Sequence, residues 1–196
     1  MKIVPITLFL LAEILITYKT YAQEAKKDWE RPNWSLSYRF GLPDGTTNDY
    51  FNIMHLVGLK KSFNITKPLS LNLLTDFSHI RAKSGTDINA FSLGAGISVY
   101  PIYFVHLLKG DTYVPKEDHI YVDFGLQALF KENDFDYLYT MEANIYRFKF
   151  KNKSSLSPKV GYNIFISDEN VSSNPIYKDL ADNTLGFYSA GLAYNF

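Results

Sequence analysis

The sequence predicts an all-β fold, an eight-stranded antiparallel up-and-down transmembrane β-barrel. Three observations predict it. Stretches of period-two alternation fill the chain between turn-rich segments. Most of these stretches reach ten residues or more, whereas soluble strands usually run about 5–6 and tilted membrane strands need about 9–11. The last stretch, Ser189-Ala190-Gly191-Leu192-Ala193-Tyr194-Asn195-Phe196, alternates and carries aromatics at its last and third-last positions. Eight is an even number, as single-chain bacterial barrels require, and the smallest such barrels use.

The elements follow in order. Lys2 precedes an apolar run, Ile3 to Ala12 and Ile14 to Ile16, which closes at Thr20-Tyr21-Ala22 before Gln23. A basic start, an apolar core and small residues at a cleavage point read as a secretory signal peptide over 1–22. The run is interrupted by Glu13 and falls short of the roughly 20 apolar residues a spanning helix needs. Residues 23–196 then form a single outer-membrane β-barrel domain, with strands near 33–41, 49–61, 68–80, 87–100, 118–131, 136–150, 157–168 and 184–196.

Their faces differ consistently. The first strand sets Trp34, Leu36, Tyr38 and Phe40 against Ser35, Ser37 and Arg39; the third sets Leu69, Leu71, Leu73 and Phe77 against Ser70, Asn72, Asp76 and Ser78. In the fourth, Phe91, Leu93, Ala95, Ile97 and Val99 oppose Ser92, Gly94, Gly96 and Ser98. The fifth opposes Val122, Phe124, Leu126 and Ala128 to Tyr121, Asp123, Gly125 and Gln127. The seventh opposes Val160, Tyr162, Ile164 and Ile166 to Lys159, Gly161, Asn163 and Ser167. The sixth changes face near Ile145, where Tyr146, Phe148 and Phe150 take over from Tyr137, Tyr139 and Met141. A bulge, or the end of the embedded section, accounts for that change.

Alternation alone does not say which face is inside. A soluble lipocalin-like binding barrel would turn its apolar face inward around a ligand. The small polar face suits a crowded lumen, and aromatics at strand ends suit interfacial belts. The Gly-x-Trp opening of lipocalins is missing, since Pro32 and Asn33 precede Trp34. The apolar face is therefore expected to meet lipid.

Composition excludes several classes. There is no Cys, so no disulfide or thiolate metal site. Lys+Arg and Asp+Glu balance at 20 each, so no net field draws in nucleic acid. The four histidines, His55, His79, His106 and His119, share no metal-ligand spacing, and neither metal nor cofactor is expected.

The expected lumen holds Arg39, Asn52, Asn72, Asp76, Asp123, Gln127, Glu142, Asn144, Lys159 and Asn163. Buried charges must pair or be hydrated. Arg39 and Lys159 against Asp76, Asp123 and Glu142 form the candidate network, either as a packed polar plug or as a narrow ion or solute path. With both ends of the domain on the periplasmic side, 41–48, 81–86, 132–135 and 169–183 face outward, and 62–67, 101–117 and 151–156 face inward. The apolar stretch Pro101 to Gly110 extends a strand or forms a short helix at the inner membrane boundary. The outer segment from Ser167 to Asn183 carries Asp168, Glu169, Lys178, Asp179 and Asp182 and is the candidate surface for a partner or lipopolysaccharide sugars.

Two resemblances rest on particular residues. Ser189, Gly191, Tyr194 and Phe196 resemble the sorting signal that outer-membrane barrels present to the barrel-assembly machinery. With the strand count, they make the chain similar to the small OmpA/OmpX-type barrels. That resemblance implies a monomer in the cell outer membrane, surrounded by outer-membrane lipid, with a structural or surface-interaction role and no catalysis. The stretch Phe77-Ser78-His79-Ile80-Arg81 through Asn89 resembles the active-site hairpin of lipid A 3-O-deacylases, which would imply an envelope lipid hydrolase. It departs where a nucleophile is needed, because Arg81 stands in place of Ser, Ser78 lies on the opposite face and Ser84 falls in a loop.

Overall fold

A strand that alternates large apolar with small polar side chains can satisfy only two different environments, one on each face. The computed structural model describes residues 33–66, 68–109, 120–130, 135–145, 148–150, 154–167 and 184–196. Its strands are β1 (Trp34–Pro43), β2 (Phe51–Thr66), β3 (Leu69–Ala82), β4 (Ile88–Val99), β5 (Tyr121–Phe130), β6 (Tyr137–Asn144), β7 (Phe148–Lys149), β8 (Ser155–Ile166) and β9 (Thr184–Asn195). Two short helices join them, α1 (Thr47–Tyr50) and α2 (Pro101–Leu108).

Each long strand pairs antiparallel with the next, and the two-residue β7 pairs only with β8. Two further pairings close the ring. β6 pairs with β8 from Tyr137↔Ile166 to Asn144↔Lys159, and β1 pairs with β9 from Ser35↔Asn195 to Pro43↔Phe187. Beyond the last rung of that seam, Trp34 and Phe196 exchange backbone hydrogen bonds of 3.0 and 2.9 Å. The result is an eight-stranded antiparallel closed barrel without an open edge.

The apolar series faces out. Leu71, Leu93 and Leu192 are 47%, 51% and 50% exposed. The polar series faces in, and Ser37, Arg39, Ser70, Asn72, Asp76, Ser92, Asp123, Gln127 and Glu142 are all buried. This is the reverse of a water-soluble domain, where polar groups cover an apolar core.

One end of the barrel carries the β1–β2, β3–β4, β5–β6 and β8–β9 connections and is called the loop end here; α2 lies at the other. At the loop end, Gly45 supplies a left-handed backbone (φ 47°) to the turn that leads into α1. That turn is tied to the wall. Asp44 N donates to Gly186 O at 2.9 Å, Gly186 N donates to Thr47 Oγ1 at 2.9 Å, and Tyr162 OH donates to an Asp44 carboxylate oxygen at 2.7 Å. At the opposite end, the stretch after β4 turns helical rather than continuing the strand, with Pro101 at its first helical position, where its missing N–H costs nothing. Tyr103 of α2 packs on Tyr100 and Tyr121 to cover the barrel mouth, while Ile102, Val105 and Leu108 remain exposed.

Two expectations are corrected. Asn52 is not in the lumen: a register irregularity between Phe51 and Ile53 turns Phe51 inward and leaves Asn52 exposed. The sixth strand stops at Asn144, not 150, and the change of face at Ile145 marks its end. The proposed signal peptide, the far part of the α2–β5 connection and the acidic segment at 168–183 lie outside the described residues.

Candidate functional site

The middle of the lumen holds one chain of alternating charge drawn from six strands. Asp76 of β3 pairs with Arg39 of β1, and the same guanidinium pairs with Glu142 of β6. Glu142 is also 2.7 Å from Lys159 Nζ of β8, which lies 3.5 Å from Asp123 of β5. Asp123 is in turn held by Lys60 of β2, with Nζ 2.8 and 3.0 Å from its two oxygens. Three cations thus alternate with three anions along this chain of ion pairs, and Lys159 bridges Asp123 and Glu142, which are register partners on β5 and β6.

Neutral groups supply further hydrogen bonds, although Arg39 Nε and Asn144 Oδ1 stay buried without a partner among the described residues. Gln127 donates to Asp76 and accepts from Ser92 at 3.0 Å; Ser98 donates to Asp123, and Asn144 donates to it at 3.3 Å. Asn72 lies 2.9 Å from both the Ser62 and Ser98 hydroxyls. Such pairing is what makes buried charge tolerable, since taking an ion from water costs several kcal/mol unless it is paired and bonded. The space left among these groups is a cavity of about 20 Å³ lined by Arg39, Lys60, Asp76, Asp123, Glu142 and Lys159 among others, room for about one water.

The five candidates Arg39, Asp76, Asp123, Glu142 and Lys159 therefore occur together, and Asn72, Gln127 and Asn144 join them. Asn163 sits nearer the loop end, where its amide donates to Ser189 at 2.7 Å. Lys60 escapes sequence reading. The Lys60-Lys61 pair looks like the solvated end of a strand, whereas β2 continues to Thr66. The signal was available in the alternation of Gly58, Lys60 and Ser62 with Val57, Leu59 and Phe63, which puts Lys60 inward and Lys61 outward. Lys61 Nζ lies 4.7 Å above the Trp34 ring, on the outer wall.

The lumen is not uniformly polar. Toward the loop end Phe51, Met54, Leu56, Ile80, Ile88, Phe135, Leu138, Phe165, Leu185 and Phe187 form a buried apolar cluster. Phe165 and Phe187 meet edge-on, with centroids 6.0 Å apart. The charged layer thus lies between this cluster and the buried Tyr100, Tyr103 and Tyr121, with Lys60 Nζ 4.8 Å over the Tyr121 ring.

Of the residues that resemble a sorting signal, Ser189 is buried in the lumen, while Tyr194 and Phe196 are exposed on the outer wall with their rings stacked at 5.7 Å. Gly191 lies where β9 passes Arg39; a Cβ there would press into the Tyr38 carbonyl and the Arg39 backbone. His79 is on the outer wall, its Nδ1 2.8 Å from Asn89 Oδ1 and its Nε2 3.8 Å from an Asp87 oxygen. Ser78 faces the lumen and donates to Ala90 O at 3.3 Å, so it is no nucleophile for His79. Comparison with protein-family models, with curated proteins and with solved structures found no match to this chain.

Proposed function

We propose that this chain is a small outer-membrane barrel of the OmpA/OmpX type, monomeric, with a structural or surface-interaction role and no catalytic one. The observation that carries the reading is the inversion of its two faces. Residues such as Leu36, Phe63, Leu71, Phe91, Leu93, Leu126 and Leu192 are exposed around the ring, while six charged side chains are buried inside it. In water, so continuous an apolar wall would drive aggregation; in hydrocarbon it is the favourable surface. A closed ring also satisfies every strand N–H and C=O, the condition for crossing a bilayer with strands.

The small central cavity, lying between apolar and tyrosine layers, supports a packed plug over a conducting path. Insertion would depend on outer-membrane lipid and on the barrel-assembly machinery, with Ser189, Gly191, Tyr194 and Phe196 as the proposed recognition residues. The test is fractionation of the expressed chain, followed by gel mobility with and without boiling. Recovery in the outer membrane with a heat-dependent mobility shift is expected; recovery in the soluble periplasmic extract would refute the reading. In planar bilayers the folded protein should give silent traces, and steady single-channel currents would replace the plug with a pore.

A further inference from the structure

Around most of the loop-end boundary the outer wall is aromatic or aliphatic. On β5, β6, β8 and β9 the outward positions there include Phe130, Tyr137, Ile164, Ile166 and Tyr188. The wall made by β2, β3 and β4 differs. In one register row His55, His79 and Asn89 stand side by side, and one step nearer the rim Arg81 stands opposite Ile53. Arg81 and Asn89 are exposed, as is Lys83 just beyond β3.

These groups are linked to one another. The Tyr38 hydroxyl is 2.7 Å from His55 Nδ1, the two imidazoles stack with centroids 6.4 Å apart, and His79 Nδ1 meets Asn89. Each ring is thus oriented through one nitrogen by a neighbour in the wall. The other nitrogen of His79 is 3.8 Å from Asp87, beyond hydrogen-bond range. Asp87 itself accepts the Ala82 N–H at 2.9 Å. Below the row lie Val57, Phe77 and Phe91, which are apolar. The patch is therefore a polar ledge, with the Arg81 guanidinium, the Lys83 ammonium and two imidazoles beside the single carboxylate of Asp87, above an acyl-compatible floor.

Resting on the membrane reading above, we propose that this ledge binds the phosphate headgroup of an anionic lipid, whose acyl chains run down the Val57–Phe77–Phe91 wall. Arg81 meets the phosphate with a planar fork of donors, and His55, held by Tyr38 through Nδ1 and stacked on His79, adds a directional one through Nε2. Desolvation at the lipid boundary strengthens each of these contacts relative to water.

The test is native mass spectrometry of the full chain folded in vesicles of phosphatidylglycerol mixed with phosphatidylcholine. The wild type should retain phosphatidylglycerol selectively. His79→Ala/Arg81→Ala should lower that retention about tenfold, the effect of losing a hydrogen bond to a charged group. Lys61→Ala, which removes a half-buried outer-wall cation at the opposite end of the barrel, should leave it unchanged. Heat-dependent mobility verifies that each variant is folded, and the milder His79→Gln/Arg81→Gln serves if the alanine pair is not. Equal retention of the two lipids, or equal loss in Lys61→Ala, overturns the proposal. Displacement by millimolar inorganic phosphate overturns the lipid assignment in favour of the free ion. Failure to enter vesicles at all is seen earlier, by flotation, and refutes the membrane reading together with this one.

Discussion

Lys60 and Lys61 are neighbours in the chain and opposites in the structure. Lys60 lies in the lumen against Asp123; Lys61 lies on the outer wall above Trp34. The same contrast runs through the whole barrel. Inside, the charged groups depend on particular partners, because none can turn to solvent for a replacement. Outside, most side chains meet the surrounding medium, and the few polar ones that are paired, such as His55 with Tyr38, are paired within the wall. The difference teaches that tolerance to substitution in this fold is set by face, not by position along the chain.

The largest expected break of that contrast is Arg39→Ala. It leaves Asp76 buried without a cation and Glu142 with Lys159 alone, and should cost about 3–5 kcal/mol. Denaturant unfolding of the folded barrel in vesicles measures it, and a loss below 1 kcal/mol would show that water, not Arg39, neutralises the pair. Next comes Leu93→Arg on the outer wall. If lipid surrounds that side chain, the cost is about 2–4 kcal/mol near the bilayer midplane. The same titration showing no change would mean that the wall meets water.

A smaller effect tests the inner face by volume rather than charge. A Cβ at Gly94 would press into the Leu126 carbonyl and the Gln127 backbone across the β4–β5 pair. Gly94→Ala should therefore destabilise by about 1–3 kcal/mol, as overpacking does, and an unchanged unfolding midpoint would show that the strands separate without penalty. Smallest is Lys61→Ala. Loss of an outer-wall cation–π contact should cost about 0.5–1 kcal/mol, measured beside Lys60→Ala, whose larger effect sharpens the comparison. Equal losses in the two would erase the distinction between faces.

The strands were legible in the sequence because a barrel wall with an apolar outer face and a polar lumen gives the strongest two-residue contrast a chain can carry. The signal fades where both faces become apolar. On β2, Ile53, Met54, Leu56 and Val57 give no alternation around His55; on β6, Leu138 is hidden between Tyr137 and Tyr139. The loop-end cluster could not be read there, since an inward Leu and an outward Leu look the same. Strand ends were similarly blurred. Reading β2 as finished at 61 removed the reason to place Lys60 inside, and an undetected irregularity after Phe51 put Asn52 on the wrong side. The α2 helix was ambiguous because eight residues hold too few turns to declare a period.

The β1–β9 seam has a consequence for biogenesis. Ser35 has to find Asn195 across nearly the whole chain, so the ring cannot be completed until its final ribbon has been synthesised and delivered. Long-range pairings of this kind are slow to form. A copy lacking β9 would leave β1 and β8 with bare rows of amide groups, which hydrocarbon does not tolerate. Its remaining outlet is to borrow an edge from another molecule, so the seam makes protection of β1 and β8 until closure a requirement of the topology itself.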